Sequence, residues 1–245
     1  MQRKTIFSAL VGSHNYNLHN EHSDKDYKAF VLPTFHDLYK GKMYHNSSMS
    51  QDVDLDVHDV RRIPNLFWKA NINFLEVLFS MEIKVEVGYA EFVEEMFANK
   101  ERIAAANLPY LYNACVGMSL RKRKGMDKYS ESMEYSRQFG YNIKEAAHSF
   151  RMLDFLERYA KFGSFADAIW YEKDETTLRH TYAGELIRGI RKGVVSRAVM
   201  EGVLDRAMGK AEEYKSWYME QSADKEILAW LDGVVMGLVE REICR

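Results

Sequence analysis

The chain has 245 residues, of which 47% are hydrophobic and 29% are charged, with 3 prolines and 14 glycines. This composition excludes disordered, collagen-like and low-complexity proteins and predicts a folded chain with a substantial core, in one large domain or two modest ones. The 34 basic and 36 acidic residues give a formal net charge of -2, so a nucleic-acid partner would have to bind at a local basic patch.

No targeting or membrane segment is predicted. The N-terminal apolar run is too short for a signal peptide, and the longest apolar stretch, Ile227–Val239, is interrupted by charge. It falls short of the roughly 20 residues that cross a bilayer. The two cysteines, Cys115 and Cys244, are far apart and lack metal-ligand spacing. We therefore expect a cytoplasmic protein without membrane contact, and its oligomeric state stays open.

Three strands are predicted in the first 60 residues, because short runs are apolar or alternate polar with apolar side chains and end at turn residues. They are Thr5–Val11, residues 24–32 and residues 51–58. The first strand ends at Gly12-Ser13, which predicts a turn. The third strand has apolar side chains on one face and four polar ones on the other. Those four are Asp52, Asp54, Asp56 and His58.

Helical spacing of apolar residues begins at residue 59. Pro64 lies shortly after it and is compatible with a helix only near the helix start. Beyond about residue 88 almost the whole chain is predicted to be helical. The predicted segments lie near residues 90–106, 109–122, 141–162, 181–192, 196–219 and 224–242. We therefore expect an α+β fold, with a small mixed β-sheet and flanking helices over residues 1–88 and an all-helical domain over residues 89–245.

Acidic side chains on two of the predicted strands are the strongest functional signal. Asp24 and Asp26 lie on one face because side chains alternate along a strand, and a neighbouring strand can bring Asp54 within metal-bridging distance. Three converging carboxylates repel one another unless divalent cations neutralise them, and Mg²⁺ prefers carboxylate oxygens together with substrate phosphates. The pattern predicts a two-metal phosphoryl-transfer site.

Gly12 and Ser13 predict a phosphate-binding turn between the first two strands. A glycine lets the backbone approach a phosphate closely, and the Ser13 hydroxyl and the amides at the start of a following helix can donate to its oxygens. A Gly-Ser pair alone is usually an ordinary turn, and an Asp-Xaa-Asp alone is common on solvated strands. Their order on successive strands favours the functional interpretation.

The stretch GSHNYNLHNEHSDKDYKAFV resembles the signature of the polymerase-β-type nucleotidyltransferase superfamily. More narrowly, it is similar to the bacterial and phage nucleotidyltransferases associated with RNA repair. Where that family has a glycine after an aromatic residue, this chain has Asn17 after Tyr16, and asparagine also adopts the left-handed conformation. A later segment is similar to the same family at four positions, which are Asn71, Asn73, Leu75 and Glu76.

The resemblance implies a nucleotidyltransferase core that moves an NMP from an NTP to an acceptor hydroxyl, with two Mg²⁺ or Mn²⁺ ions as cofactors. Asp24 and Asp26 would hold both ions, and Asp54 would be the third ligand and the local base, with Asp56 as the alternative on the same face. By family analogy the expected acceptor is an RNA 3′ end, tRNA included. The alternatives are a transferase that modifies a protein or small molecule, and an inactive nucleotide- or RNA-binding module.

A looser similarity to the family extends to Lys144, His148 and Arg151. Their spacing of i, i+4 and i+7 places two positive charges and a titratable donor on one helix face. We expect these residues to contact the triphosphate of the nucleotide. On spacing alone, a solvated helix face explains them equally well.

Residues 121–124, RKRK, are the densest basic patch, with Lys128, Tyr129 and Tyr135 nearby. Basic residues interleaved with aromatic ones suit single-stranded nucleic acid, although four basic residues at a helix end also complement the helix dipole. The patch is therefore a candidate RNA contact.

Six of the eight histidines fall between residues 14 and 58, which raises zinc as an alternative. None forms a recognised ligand pair on a helix and no cysteine joins them, so surface or phosphate-adjacent histidines are the favoured interpretation.

Overall fold

The computed structural model describes residues 3–21, 23–50, 53–127, 138–172 and 181–244. The chain divides into two compact units. The first comprises residues 1–107 and 222–245, and the second comprises residues 108–221. The C-terminal helix therefore belongs to the unit that contains the sheet. The functional division at residue 88 stays a prediction, and the compact units divide elsewhere.

Five strands form one mixed sheet in the first unit. They are β1 (Thr5–Val11), β2 (Lys25–Val31), β3 (His45–Met49), β4 (Val53–Asp59) and β5 (Ile83–Val85). Their order across the sheet is β3-β4-β2-β1-β5. β2 and β4 run parallel, whereas the other neighbours pair antiparallel. The α+β prediction is confirmed.

The three predicted strands match β1, β2 and β4 to within one or two residues, and residues 51–52 lie outside the described part of the chain. Sequence patterns missed β3 and β5. β3 reads HNSSM and is exposed at every position, so it has no apolar alternation. β5 has only three residues, too few to show a period.

Short helices complete the first unit and longer ones form the second. They are α1 (Phe35–Tyr39), α2 (Ile63–Trp68), α3 (Ile72–Leu75), α4 (Ala90–Ala98), α5 (Lys100–Ala104), α6 (Leu108–Gly125), α7 (Ile143–Phe162), α8 (Phe165–Ile169), α9 (Thr181–Arg191), α10 (Arg197–Glu213), α11 (Lys215–Met219) and α12 (Lys225–Ile243). Pro64 lies in the first turn of α2, as predicted. None of the described helices is long and apolar enough to cross a bilayer.

The core of the first unit lies against the two central strands. Phe7 of β1 and Phe30 of β2 are completely buried and stack with ring centroids 4.9 Å apart. Burial of a side chain of this size stabilises the fold by about 1.5–3 kcal/mol. The stacked pair therefore holds together the two strands that precede and follow the Gly12 turn.

The second unit packs around α7, which contacts α6, α8, α9 and α10. Several buried polar groups inside this unit are hydrogen-bonded to one another or to backbone. The hydroxyls of Ser119 and Ser149 are 2.8 Å apart, and the Tyr218 hydroxyl donates to the Leu156 carbonyl at 2.8 Å. Pairing removes the cost of burying these polar atoms.

A buried carboxylate anchors the N-terminal segment to α1. Asp37 accepts hydrogen bonds from Nε and Nη2 of Arg3 at 3.0 and 2.7 Å, and the Thr34 backbone and hydroxyl also donate to it. Thr34 caps α1 in return. The Arg3 hydrogen bonds outweigh the opposing effect of burial and, together with those from Thr34, hold the pKa of Asp37 well below its ordinary value.

We expect Asp37→Ala to lower the free energy of unfolding by about 2–3 kcal/mol, because it removes a charged hydrogen-bonded pair and part of a helix cap. A lowered folded-state pKa stabilises the protein above the ordinary carboxyl pKa, so the difference from the unsubstituted protein should shrink as the pH falls below about 4. Urea unfolding at several pH values measures both effects. Glu91→Ala, which removes an exposed partner 3.9 Å from Arg241, is the control and should cost less than about 0.5 kcal/mol.

Candidate active site

Two predicted carboxylates face each other across the parallel strands. In the register of β2 and β4, Asp26 is directly opposite Asp54. Neighbouring strands lie about 4.8 Å apart, so the two side chains emerge side by side on one face of the sheet. Asp24 lies one residue before β2 and is exposed, and the alternation along the strand places it on the same face. The sequence pattern predicted this neighbourhood.

The closeness of the two carboxylates affects the ionisation of Asp26. Burial raises the pKa of Asp26, and the negative charges of Asp54 and Asp24 raise it further, whereas Lys28 and His14 oppose the rise. Like-charged carboxylates in one place disfavour ionisation unless a cation joins them. Among the described residues, no side-chain hydrogen bond engages Asp24, Asp26 or Asp54. The three carboxylates are an oxygen donor set of the kind that Mg²⁺ or Mn²⁺ takes.

Asp56, the alternative third carboxylate, has a different environment two residues along β4. It accepts hydrogen bonds from three side chains and lies 3.5 Å from the Lys28 ammonium. The donors are His45 Nε2 at 2.9 Å, Ser47 Oγ at 2.8 Å and His58 Nε2 at 2.8 Å. We call Asp56 and these four partners the Asp56 brace. It joins β2, β3 and β4.

The brace determines the ionisation of Asp56. Burial by itself raises the pKa of this carboxyl. Hydrogen bonds from His58 and Ser47 and the charge of Lys28 outweigh that effect, so the pKa of Asp56 lies well below its ordinary value. Asp56 is therefore a carboxylate whose charge is already balanced inside the fold.

His45, Asp56 and His58 also bring three potential metal-ligating atoms within 4.8 Å of one another. Sequence reasoning missed this group because His45 lies on the unpredicted strand β3. Arg62 donates to Nδ1 of His58 at 3.0 Å, so the His58 proton is on Nε2, which donates to Asp56. A zinc ion on Nε2 would displace that proton and add positive charge beside Arg62 and Lys28. Ring nitrogens behind a metal ligand normally donate to an acceptor, so the group fits a hydrogen-bonded brace better than a zinc site.

Gly12 follows β1 and lies directly against the side chain of Asp26. Its φ is +73°, and a Cβ built there would lie 2.4 Å from Oδ2 of Asp26. Only glycine therefore fits this close approach of the backbone to the carboxylate. The Gly12 N–H donates to Oε2 of Glu76 at 2.8 Å.

The segment after Gly12 is a turn, which corrects the predicted helix start at this place. Its hydrogen bonds run from Asn17 N to the His14 carbonyl at 3.3 Å and from Leu18 N to the Ser13 carbonyl at 2.9 Å. Asn17 has a φ of +60°, so it does adopt the left-handed conformation that the family's glycine would take. Among the described residues, the N–H groups of Ser13 and His14 have no acceptor. The turn thus retains backbone donors for an anion without a helix.

The predicted triphosphate contacts lie in the second unit, on α7. Lys144 and His148 are exposed, whereas Arg151 is buried, so the three do not form one solvated stripe. Although His148 has solvent-exposed surface, the surrounding protein desolvates its ring and four positive charges lie nearby. Both effects lower the pKa of His148, to about 3, and desolvation is the larger one. Those charges belong to Arg151, Lys122, Arg191 and Lys144. His148 is thus neutral at physiological pH, and the basic character of this site comes from its neighbours on α6, α7 and α9.

The RKRK patch at the end of α6 is partly neutralised. Lys122 pairs with Glu145 at 2.7 Å, and Arg123 pairs with Glu201 at 2.5 Å and Asp205 at 2.8 Å. Arg121 and Lys124 remain exposed. The neighbouring Lys128, Tyr129 and Tyr135 lie outside the described residues. RNA contact by this patch stays a prediction.

A comparison with protein families matches the first 156 residues of the chain to one family. The RlaP family model, described as the RNA repair pathway DNA polymerase beta family, matches residues 1–156. The match includes β1 to β5, the Gly12 turn and the part of α7 that carries Lys144, His148 and Arg151. A search of curated proteins found no match.

We expect Gly12→Ala to destabilise the protein more than Gly41→Ala does. Both glycines have a positive φ, +73° and +60°, but a Cβ at Gly41 meets no atom within 4 Å. Backbone strain should cost about 1–2 kcal/mol in each variant, and the collision with Asp26 should add about 1–3 kcal/mol at Gly12 alone. Urea unfolding measures both losses. Equal losses would contradict the close approach of Gly12 to Asp26.

Proposed function

The chain belongs to the RNA repair pathway DNA polymerase beta family, and from that premise we propose that it transfers an NMP from an NTP to the hydroxyl of an RNA 3′ end. The observation that carries the proposal is the alignment of Asp26 with Asp54 on parallel strands beside the Gly12 turn. The family supports a polymerase-β-like nucleotidyltransferase in RNA repair. The nucleotide, the RNA acceptor and the metal dependence are our proposal.

The three carboxylates are the proposed metal ligands. Asp24, Asp26 and Asp54 would hold two Mg²⁺ or Mn²⁺ ions, which when bound lower the pKa of the attacking hydroxyl and neutralise charge on the phosphates. Asp54 is a better third ligand than Asp56, because the oxygens of Asp56 already accept hydrogen bonds from three side chains. Lys28 offsets part of the negative charge around Asp26 in the metal-free protein.

The proposed reaction exchanges the phosphoanhydride bond between the α- and β-phosphates for a new phosphoester bond to the acceptor. The acceptor oxygen forms a bond to the α-phosphorus of the NTP, the bond to the oxygen that bridges the α- and β-phosphates breaks, and pyrophosphate leaves. The carboxylate of Asp54 takes the proton of the acceptor hydroxyl. The Ser13 hydroxyl and the N–H groups of Ser13 and His14 would donate to the β- and γ-phosphates, while the Gly12 N–H is engaged by Glu76.

We propose that the basic group on α7 binds the triphosphate as well. Lys144 and Arg151, with Lys122 and Arg191 near them, concentrate positive charge around the neutral ring of His148. Such a group favours a polyanion. His148 would act there as a hydrogen-bonding group without charge.

Replacing Asp54 should greatly reduce the rate of transfer, whereas replacing Asp56 should leave most of it. We expect Asp54→Asn and Asp26→Asn to lower kcat/KM roughly 100- to 1,000-fold, because each removes a charged ligand from the reacting centre. Asp56→Asn changes the same side chain two residues away and should cost less than about tenfold. Labelled NTPs are incubated with Mg²⁺ and with RNA, protein or small-molecule acceptors. Label on protein or on a small molecule alone would refute the RNA acceptor, and a larger loss for Asp56→Asn would reverse the assignment.

The double variant Lys144→Ala/Arg151→Ala should raise the KM for the NTP about tenfold or more, because two charges near the phosphates are lost. Arg121→Ala/Lys124→Ala removes the same charge from exposed positions of the second unit and is the control for the NTP KM. Thermal unfolding of each variant verifies that the loss of the buried Arg151 leaves the unit folded. An unchanged NTP KM in a folded Lys144→Ala/Arg151→Ala protein would exclude α7 from nucleotide binding.

A further inference from the structure

Two almost completely buried polar side chains tie the Gly12 turn to the segment that follows α3. Glu76 is 2% exposed and Asn15 is 1% exposed. Buried polar groups cost free energy unless they are hydrogen-bonded, so their partners show what they hold in place. The Glu76 side chain bonds to the backbone of the Gly12 turn, and the Asn15 side chain bonds to the backbone of the segment that follows α3.

The bonds form a reciprocal clamp. Oε2 of Glu76 accepts from the Gly12 N–H at 2.8 Å, and Nδ2 of Asn15 donates to the Glu76 carbonyl at 3.1 Å. Oδ1 of Asn15 then accepts from the Met81 N–H at 3.1 Å. The turn is therefore fixed at its first residue by one buried side chain and at its fourth residue by another.

Glu76 acts on the same residue that shapes the carboxylate site. Gly12 contacts Glu76 through its N–H, while its Cα side lies against Asp26 with no space for a Cβ. The N–H groups of Ser13 and His14, which follow Gly12 directly, have no acceptor among the described residues. The orientation of these two donors depends on the backbone at Gly12, which the buried hydrogen bond to Glu76 holds in place.

We propose that Glu76 is a positioning residue for nucleotide binding, with Asn15 as its partner in the clamp. Glu76 accepts the hydrogen bond of the Gly12 N–H and so orients the N–H groups of Ser13 and His14 toward the triphosphate. The same hydrogen bond keeps the Gly12 backbone against Asp26. Glu76 itself contacts neither the substrate nor the metal ions. The inference rests on the proposed nucleotidyl transfer and assigns to Glu76 a role that the family resemblance left open.

Two conservative variants separate the hydrogen bond from the charge. Glu76→Gln keeps the length and an acceptor oxygen but loses the charge, whereas Glu76→Asp keeps the charge but is one methylene too short to reach the Gly12 N–H. We expect Glu76→Asp to raise the KM for the NTP about 10- to 100-fold, the loss expected for a charged hydrogen bond. Glu76→Gln should stay within about threefold of the unsubstituted protein. Glu86→Asp, at an exposed position just after β5, is the matched control and should change nothing.

The measurements are the KM and kcat of transfer, the Kd for a non-hydrolysable NTP analogue with Mg²⁺, and the thermal unfolding temperature of each variant. A structural role alone would lower the unfolding temperature and the active fraction, hence kcat, and would leave KM and Kd unchanged, which would overturn the inference. A KM that rises equally in Glu76→Gln and Glu76→Asp would overturn it too, because the reach of the acceptor would then be irrelevant. If the unsubstituted protein binds no NTP, the proposed function itself is refuted. If all variants bind the NTP analogue as well as the unsubstituted protein does, only the role of Glu76 is refuted.

Discussion

The parallel pairing of β2 and β4 is the constraint on which the candidate site depends. It places Asp26 opposite Asp54 in spite of the repulsion between two carboxylates, and burial makes that repulsion stronger. Such an arrangement has to be held by other interactions. The stacked Phe7 and Phe30 hold β1 against β2, and the Gly12 turn closes one side of the site. The free energy gained in the core thus offsets the local repulsion between the two carboxylates.

Two carboxylates on β4 have different partners although they lie on the same strand. Asp54 and Asp56 share a face and differ by two positions, yet Asp56 is engaged by histidine, serine and lysine side chains while Asp54 faces Asp26. The hydrogen bonds to Asp56 favour its charged form and consume its acceptor capacity. The Asp56 brace ties three strands together and keeps Lys28 beside the acidic pair. A carboxylate committed in this way stabilises the sheet, and in the proposed function Asp54 binds the metal ions instead.

Much of the fold and part of the site were predictable from sequence patterns. The apolar run of β1 and the period of two along β2 and β4 indicated the strands, and Pro64 indicated a helix start, because these signals depend on local sequence. The exposed strand β3 had no apolar period, so its contribution of His45 to the Asp56 brace was missed. The helical face with Lys144 and Arg151 was found, but the burial of Arg151 was not, since burial depends on the packing of α6 and α9 against α7.

The order of motifs along the chain determined by itself the type of fold, the three candidate carboxylates and the family resemblance, because these follow from residue spacing within single elements. Only the tertiary structure decided which carboxylate lies opposite Asp26, that Glu76 holds the Gly12 turn, and that a turn replaces the expected helix after Ser13. Asp54 and Asp56 have the same local pattern and differ in the side chains around them, most of which lie on other strands. Packing across the sheet sets the strand register and the contacts between residues 60 or more positions apart. The spacing of residues along one element does not encode this packing.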